Sequence, residues 1–374
     1  MSGIYIHIPY CKKACHYCNF HFSTNQNSKS SFIKAISKEL QLRSSEYRSQ
    51  EIQTIYFGGG TPTVLEVSEL TSILDVIYEV YNVSADPEIT LEANPDDLDL
   101  EKIIAISKTK INRLSIGIQS FHEADLLAMN RAHNSDEAKK CLAIATKYFD
   151  NITIDLMFGM PTMSTDLWRQ NLQTAFGFGI KHLSCYAMTV EPQTALEHFI
   201  KKGSHPPIDD EVSAQHFNIL LEETTKNNLI HYETCSFGQS EYFSRHNTSY
   251  WLGKSYLGVG PSAHSFDGKI RSWNISNNSK YIKSIEASVL PSESERLSIE
   301  NGFNEYIMTG LRTMWGVSLQ KIETEYGLKI KEELVNNSKQ LITSNYLVIE
   351  DQHLKITKTG KFISDGIASE LFLV

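Results

Sequence analysis

The sequence lacks an excess of positive charge and lacks long hydrophobic runs, and both absences exclude functions. Its 374 residues carry 35 Lys and Arg against 44 Asp and Glu, a formal net charge of −9. No electrostatic footprint for nucleic acid is therefore present. No apolar stretch reaches the ~18–20 residues that a membrane-spanning helix needs. The N-terminus has no charged segment followed by a long apolar run, so we expect no signal peptide and predict a cytoplasmic protein.

Cysteine is scarce, with six residues in the chain, yet three of them fall within the first eighteen positions. Cys11, Cys15 and Cys18 have the spacing CxxxCxxC and follow a strand-like run. Thiolates at this spacing can converge on one soft metal centre. A [4Fe–4S] cluster held by three cysteines leaves one iron open to a substrate or cofactor, so this spacing indicates chemistry as well as structure.

The alternative is a structural zinc site, which closes with four Cys or His ligands. His7, His16 and His21 are the candidates for its fourth ligand. The other three cysteines lie far apart inside apolar segments, where we predict buried core thiols. They are Cys141, Cys185 and Cys235.

The first half of the chain alternates short apolar runs with helical patterns. Each run suits a strand that is buried on both faces. Six strand–helix units in series predict parallel strands with right-handed crossovers. The expected α/β architecture is a barrel or part-barrel with its site at the carboxyl ends of the strands, and a doubly wound open sheet is the alternative. The runs are Ile4–Ile8, Thr54–Phe57, Ile89–Ala93, Leu114–Ile118, Ile152–Met157 and Leu183–Ala187.

The second half changes character after Pro206 and Pro207. The pattern from about Glu293 onward, helices followed by a short strand pair, is typical of a winged-helix module, although its acidic character argues against DNA binding. We predict three segments: a barrel over residues 1–206, a connecting segment over 207–290, and a C-terminal domain over 291–374. Before that last domain and within it we expect a helix over Asp209–Lys226, a strand over Tyr232–Phe237, a polar–aromatic loop around Arg245–Trp251, a hairpin turn at Asp267-Gly268, and strands Tyr346–Ile349 and His353–Ile356.

Polar and turn residues collect at the ends of the predicted strands. Three consecutive glycines, Gly58 to Gly60, follow the second run and allow close approach of the backbone to a ligand. Glu92 and Asp155 lie in otherwise apolar strands, where an unpaired carboxylate is costly, so we expect each to face a ligand or a partner. Arg131 can pair with a carboxylate. A structural ion pair between Arg131 and Asp155 is the alternative.

Taken together, these motifs resemble the radical S-adenosylmethionine (SAM) superfamily, and within it the oxygen-independent coproporphyrinogen III oxidase family. The resemblance covers nearly the whole chain. It depends on the cysteine motif with Tyr17 before its last cysteine, Tyr5-Ile6-His7-Ile8-Pro9, Tyr56-Phe57-Gly58-Gly59-Gly60-Thr61-Pro62, Ser115-Ile116-Gly117-Ile118-Gln119-Ser120 and Asp155-Leu156-Met157-Phe158-Gly159-Met160-Pro161.

The resemblance implies a partial (β/α)6 TIM-like barrel and an α+β C-terminal domain of winged-helix type. It implies that the three cysteines hold a [4Fe–4S] cluster, and that a reductant supplies an electron to cleave SAM into methionine and a 5′-deoxyadenosyl radical. It also implies a set of SAM-site residues. These are Tyr5, Tyr17, Gly59, Gly60, Thr61, Glu92, Gln119, Arg131, Asp155 and Ala187, to which His264 is added as a site-facing position that is equally well read as a buried, hydrogen-bonded histidine.

Two branches of this family differ in function. The oxidase carries a fourth cysteine two positions after the third, where this chain has Phe20, and an extension before the cluster motif, whereas ten residues precede Cys11 here. Haem chaperones of the HemW type carry an HNxxYW motif, and it is present. A histidine can ligate haem iron and aromatic rings can stack on a porphyrin. The motif residues are His246, Asn247, Tyr250 and Trp251.

The sequence therefore predicts a haem chaperone with a [4Fe–4S] cluster and exchangeable SAM, which passes haem to an acceptor protein that it does not identify. The alternative is an oxygen-independent coproporphyrinogen III oxidase. No catalytic residue is assigned, and enzymatic activity is left open. A structural role for the 245–251 segment, in which the aromatic residues pack and the histidine is hydrogen-bonded, also stays open.

Overall fold

The structure, a computed structural model, describes residues 2–47 and 49–373. Within these residues the largest sheet has twelve strands in the order β12-β11-β10-β9-β1-β2-β3-β4-β5-β6-β8-β7, and a smaller sheet has the order β13-β15-β14. The strands are β1 (Ser2–Ile8), β2 (Glu51–Gly59), β3 (Asn82–Ala93), β4 (Arg113–Gln119), β5 (Ile152–Phe158), β6 (His182–Ala187), β7 (Ile230–Glu233), β8 (Ser236–Gly238), β9 (Ser255–Val259), β10 (His264–Phe266), β11 (Ile270–Asn274), β12 (Ser292–Arg296), β13 (Val317–Ser318), β14 (Leu347–Glu350) and β15 (His353–Ile356).

Fourteen α-helices connect or follow the strands among the described residues. They are α1 (Lys29–Leu42), α2 (Val67–Val80), α3 (Leu100–Ser107), α4 (Glu123–Ala128), α5 (Ser135–Ala145), α6 (Thr165–Gly177), α7 (Ala195–Lys201), α8 (Asp210–Lys226), α9 (Arg245–Trp251), α10 (Asn278–Glu286), α11 (Ile299–Leu311), α12 (Leu319–Tyr326), α13 (Leu328–Thr343) and α14 (Ser364–Ser369). No helix among the described residues is long and apolar enough to cross a membrane.

The six strands β1 to β6 pair in parallel and in chain order, which confirms the predicted strand–helix units. Their side chains alternate between the two faces of the sheet. In β1, Ile4, Ile6 and Ile8 are fully buried in the hydrophobic core that also contains Phe32 and Ile36 of α1. The alternate residues of these strands face the interior of the curved sheet, and many of them are polar.

The six parallel strands do not close into a full barrel. In the described part of the chain β1 and β6 pair with β9 and β8 and not with each other, so the sheet is a part-barrel. On one side β9 pairs in parallel with β1 and leads into the antiparallel strands β10 to β12. On the other side β8 and β7 pair antiparallel with β6 and with each other. The partial barrel is confirmed. Its extensions come from the segment after residue 206, so the proposed boundaries at 206 and 290 stay a prediction.

Two expectations for this segment were wrong. The strand expected over Tyr232–Phe237 is a pair, β7 and β8, separated by a turn. The polar–aromatic loop around Arg245–Trp251 is the helix α9. The Ser244 side chain caps this helix by accepting from the Asn247 amide, which is a local signal. Its first two amides donate to a carboxylate on β3, Glu88, which is far away in the sequence.

The C-terminal module has a hydrophobic core of its own around Phe303, Ile307 and Leu354. Helices α11 to α13 pack on the small sheet, and α14 packs on α11. Strands β14 and β15 form the antiparallel wing that the sequence predicts. This module confirms the α+β C-terminal domain.

Candidate functional site

A cavity of about 490 Å³ opens at the carboxyl ends of the parallel strands. Three thiols and nine of the eleven predicted SAM-site residues line it. They are Cys11, Cys15 and Cys18 together with Tyr17, Gly59, Gly60, Thr61, Glu92, Gln119, Arg131, Asp155 and Ala187. The strand ends bring these residues together because they meet at one edge of a parallel sheet.

The three thiols are partly buried and hydrogen-bonded to neighbouring polar groups. Thr61 donates its hydroxyl to the Cys11 sulfur at 3.5 Å, and an Arg131 guanidinium N–H donates to the Cys15 sulfur at 3.2 Å. Burial raises the pKa of Cys11 to about 11 and also raises the pKa of Cys18. Because a coordinating thiol is deprotonated outright, binding to iron would reverse this preference.

No preformed site for a single zinc ion is present among the described residues. In the described part of the chain, no three His, Cys, Asp or Glu side chains are placed to hold one metal ion, as a zinc ion with sulfur ligands at ~2.3 Å requires. The histidines considered as a fourth ligand have other partners: His7 contacts the carbonyl of His21, His16 that of Ala128, and His21 the Asn278 side chain. A four-iron cluster, in contrast, binds each thiolate through a different iron, so the donor set fits a cluster with an open iron.

The glycine turn after β2 has a packing reason that the sequence did not reveal. A Cβ on Gly59 would lie 2.6 Å from the imidazole of His7, and one on Gly60 would lie 2.7 Å from the carbonyl oxygen of Tyr10. Gly59 also has φ of +107°, a conformation that glycine adopts without strain. We expected these glycines to admit a ligand. Both glycines line the cavity, so this stays a prediction, and the structure adds that a side chain at either position would collide with His7 or with the backbone of Tyr10.

The two interior carboxylates lie on strands β3 and β5. Glu92 accepts from the Tyr56 hydroxyl at 2.8 Å and from the Gly59 amide at 3.1 Å. Burial raises its pKa to about 7, and the hydrogen bond from Tyr56 opposes that rise. Burial also raises the pKa of Asp155 to about 6, against the nearby charge of Arg113. Both carboxylates face the cavity and would gain from a cationic ligand.

Arg131 reaches into the cavity and is fixed by several acceptors. It donates to Asn94 at 2.6 Å and to the Gly117 carbonyl at 2.9 Å, while its Nε is buried without a hydrogen-bond partner. The guanidinium N–H groups of Arg131 donate to other partners, and no ion pair between Arg131 and Asp155 is found among the described residues. The free Nε is a donor for a ligand carboxylate.

Gln119 closes the end of β4 with φ of +62°, an unusual backbone conformation for a residue other than glycine. Strain of this kind is found at binding sites more often than elsewhere. Sequence reasoning missed Asn94, which donates to Thr61 and accepts from Arg131. The only signal was its position directly after the third strand.

Tyr5 and His264 do not line the cavity. Tyr5 lies beneath it, where its hydroxyl contacts Nδ1 of His7 at 3.2 Å and its ring stacks on Tyr56. His264 is exposed on β10 and its ring packs against Trp273 with centroids 6.1 Å apart. The expectation that His264 faces the site is therefore not met in this structure, nor is the alternative of a buried histidine.

The HNxxYW residues lie at the opposite end of the barrel, on α9. His246 is 1% exposed, and both of its ring nitrogens are engaged at 2.7 Å, one by Thr54 and one by Tyr250. Trp251 carries an indole N–H that is buried without a partner, and the Arg312 guanidinium lies over its ring at 5.6 Å. Asn247 is half-buried beside them. In this conformation His246 is a packed core residue and not a presented ligand.

Comparisons with known proteins match both parts of the chain to known families. The model of the radical SAM superfamily matches residues 5–175, and the model of the HemN C-terminal domain matches residues 297–363. Among solved structures, coproporphyrinogen III oxidase (HemN) from Escherichia coli has a TM-score of 0.86 at 19% identity, covering 99% of this chain and 90% of that one. At this identity the likeness establishes the fold alone.

Curated relatives are similar over most of their length. "Heme chaperone HemW" of Bacillus subtilis is 29% identical, with 98% of both chains covered. The protein of that name from Buchnera aphidicola is 30% identical over 99% of this chain and 98% of its own. The protein of that name from Synechocystis is 31% identical over 85% of this chain and 79% of its own.

Proposed function

The chain belongs to the HemW family of radical SAM proteins, and from this membership we propose that it is a haem chaperone that binds haem and passes it to an acceptor protein. We further propose that Cys11, Cys15 and Cys18 hold a [4Fe–4S] cluster and that SAM binds beside it and exchanges. Its proposed location is the cytoplasm, where cysteines stay reduced and free to act as ligands.

One observation carries the cofactor part of the proposal: a single cavity collects the three cysteines, Gly59 to Thr61, Glu92 and Arg131. The thiols have no single-ion geometry, and the unpartnered Nε of Arg131 and the carboxylate of Glu92 suit the opposite charges of an amino acid. When bound, the cluster and SAM would supply one-electron chemistry. The chain itself contributes orientation, charge pairing and shelter from water.

Haem would bind outside the cofactor cavity, because the HNxxYW motif lies at the opposite end of the barrel from the three cysteines. A cavity of about 660 Å³ borders α9 there. Phe243 and Leu252 contribute apolar surface to its wall, and Lys254 is a cation able to pair with a propionate. Arg245 also lines the cavity, where its guanidinium is paired with Asp86 at 3.3 Å. Thr248, on the same helix, has a buried hydroxyl without a partner. We propose that haem lies in this cavity.

The iron ligand in this arrangement would be His246. His246 does not line the cavity itself. Its Nδ1 contacts the side chain of Thr54, and Thr54 lines the cavity, so a single side chain separates the imidazole from the cavity. Ligation would require the imidazole to leave Thr54 and Tyr250. None of the described residues that line this cavity is a His, Cys, Met or Tyr, so the lining itself offers no side chain of the usual haem-ligand types.

The test is a haem titration of the cluster-free protein, followed by transfer to an apo-haemoprotein. We expect near-stoichiometric binding, a Soret band that changes in His246→Ala, and weaker binding in Lys254→Glu. Lys329→Glu, an exposed lysine on α13, is the matched control and should bind like wild type. Equal haem affinity in both lysine variants would remove this cavity from the proposal.

A second assay separates the chaperone from the oxidase. Protein reconstituted anaerobically with iron and sulfide is supplied with SAM, a reductant and coproporphyrinogen III, and the products are analysed by mass spectrometry. We expect no decarboxylated product. Where the oxidase has its fourth cysteine, this chain has Phe20, which is 68% exposed beside the cavity. Phenylalanine has no thiol and cannot take over the chemistry of that cysteine. Robust decarboxylation without saturable haem binding would establish the oxidase instead.

A further inference from the structure

Helix α9 forms the floor of the part-barrel. It packs against β1, β2 and β9, and the amides of Arg245 and His246 donate to the Glu88 carboxylate at 3.0 and 2.9 Å. A Cβ on Gly3 of β1 would lie 3.1 Å from the imidazole of His246. The helix is thus attached to the interior of the barrel through its first turn, and its histidine points toward the cavity at the other end.

The imidazole of His246 is held on all sides. Its nitrogens are engaged by Thr54 on β2 and by Tyr250 one helical turn away. Burial lowers its pKa to about 3, so the ring is neutral. A neutral imidazole with both nitrogens paired has one donor and one acceptor satisfied, which makes it a rigid platform for the ring above it.

That ring belongs to Tyr56. The rings of His246 and Tyr56 stack with centroids 5.0 Å apart and planes 26° apart. Tyr5 stacks on both, at 6.1 Å from Tyr56 and 6.5 Å from His246. Beyond the stack, the Tyr56 hydroxyl donates to Glu92 at 2.8 Å. A continuous set of contacts therefore runs from the floor helix to the carboxylate in the cofactor cavity.

We propose that His246 is a positioning residue of the SAM site, which fixes the ring of Tyr56 and through it the carboxylate of Glu92. The inference rests on the SAM-binding part of the proposed function and goes beyond it, since the sequence motif associates His246 with haem. Without the imidazole, the Tyr56 ring loses its lower contact surface and gains rotational freedom. Glu92 then loses a fixed donor that favours its charged form.

The position of His246 has a consequence for haem. An imidazole that leaves the floor to ligate iron no longer supports Tyr56, so haem ligation through His246 and SAM binding at Glu92 oppose each other. Linkage makes the effect reciprocal: SAM weakens haem ligation by the factor by which ligation weakens SAM binding.

The experiment measures the SAM dissociation constant of cluster-reconstituted protein by equilibrium dialysis. A charge-assisted hydrogen bond is worth about a tenfold change in affinity or more, so Tyr56→Phe and His246→Ala should each weaken SAM about tenfold. Because they act through the same contact, the double variant should be no weaker than about the stronger single effect. His246→Phe keeps a stacking ring and should recover most of the affinity lost in His246→Ala.

The matched control is His231→Ala. His231 is also a largely buried imidazole, stacked on Phe237 at 4.3 Å and hydrogen-bonded to Lys361, away from the SAM cavity. Its SAM affinity should equal that of wild type, which excludes a general effect of removing a packed imidazole. Iron and sulfide content is measured for every variant, so a change in SAM affinity is not confused with loss of the cluster.

Unchanged SAM affinity in folded, cluster-loaded His246→Ala, or fully additive effects in the double variant, would overturn the inference. If His246→Ala does not fold, the comparison passes to His246→Leu, which fills the space without a flat ring, and His246→Phe, which keeps a ring. Weaker SAM binding in the first than in the second supports the proposal, and equal affinity in the two variants overturns it. Wild type that carries its cluster but binds no SAM would instead refute the proposed function.

Discussion

Replacing Gly59 with alanine is expected to destabilise the barrel and to weaken SAM binding at the same time. The residue has φ of +107° at the end of β2. A Cβ there would lie 2.6 Å from Cε1 and Nδ1 of His7. His7 is 6% exposed and held between the hydroxyl of Tyr5 and the carbonyl of His21, so it has little room to move.

The size of the effect follows from two terms. An L-residue forced into left-handed backbone costs about 1–2 kcal/mol, and inserting a methyl group into a packed site costs about 1–3 kcal/mol. Together they predict a loss of about 2–5 kcal/mol in the free energy of unfolding. The same shift moves the Gly59 amide, which donates to Glu92 at 3.1 Å, so SAM affinity should fall as well.

The assay is urea unfolding of cluster-free protein, followed by SAM dialysis of reconstituted protein. Gly366→Ala is the control, because Gly366 lies in α14 and a Cβ there would meet nothing within 4 Å. It should be neutral or stabilising by up to about 1 kcal/mol, as alanine favours helix. A Gly59→Ala variant within about 0.5 kcal/mol of wild type, with unchanged SAM affinity, would refute the packing explanation for this glycine.

Three further predictions concern the buried groups. Replacing any one of the three cysteines of the CxxxCxxC motif with alanine should abolish iron–sulfur absorbance after reconstitution, whereas Cys141→Ala, in a buried site on α5, should retain it; loss in Cys141→Ala would contradict the ligand assignment. SAM affinity should rise between about pH 5 and 8, because burial raises the pKa of Asp155 to about 6 and of Glu92 to about 7, and only the charged carboxylates attract a cation. Glu92→Gln should leave just the step near pH 6, and a flat wild-type profile would contradict this. The tyrosines whose pKa values are raised in part by the charge of Glu92 stay neutral in this range; they are Tyr5, Tyr56, Tyr186 and Tyr250. Glu39→Ala should lower the free energy of unfolding by about 3 kcal/mol or more, because Glu39 is fully buried and accepts from Gly260, Asn274 and Tyr281; chemical denaturation that shows less than about 1 kcal/mol would contradict that role.

The raised pKa of Glu92 also sets the sign of its effect on stability. A carboxylate whose pKa is higher in the folded than in the unfolded chain binds its proton more tightly when folded. The cofactor-free protein should therefore lose stability as pH rises from about 4.5 to about 7, the interval between the ordinary value and the raised one. Glu92→Gln should remove that part of the pH dependence while it weakens SAM binding, so the carboxylate is retained for binding at a cost in stability.

The strands and the rim of the site were predictable from the sequence for a simple physical reason. Parallel strands that are buried on both faces are short continuous runs of apolar and β-branched residues, and their carboxyl ends must meet at one edge. A motif that directly follows such a run, as Cys11 or Gly59 does, must therefore lie at the rim. The cavity lining confirms that placement for both motifs.

The structural roles of individual residues could not be predicted as well, because these roles depend on contacts between segments that are distant in the sequence. The glycines after β2 were attributed to ligand approach, but the obstacles to a side chain are His7 and Tyr10 on the neighbouring strand end. The 245–251 segment contains no strong pattern of helix-forming residues. It becomes helical because Ser244 caps it and Glu88 accepts its first amides, and only the first of these signals is local.

The interior of the part-barrel connects the cysteine motif and the HNxxYW motif, which lie more than two hundred residues apart in the chain and at opposite ends of the barrel. Alternation along β2 directs Thr54, Tyr56 and Gly58 to the same inner face. Thr54 contacts His246 at the floor, and Tyr56 contacts Glu92 near the rim. A Cβ on Gly58 would lie 3.0 Å from an oxygen of Glu92, so the strand passes against that carboxylate with no space for a larger residue. One inner face of one strand therefore joins the HNxxYW helix to the cofactor cavity, and this is the chain of contacts through which the proposed positioning role of His246 would act.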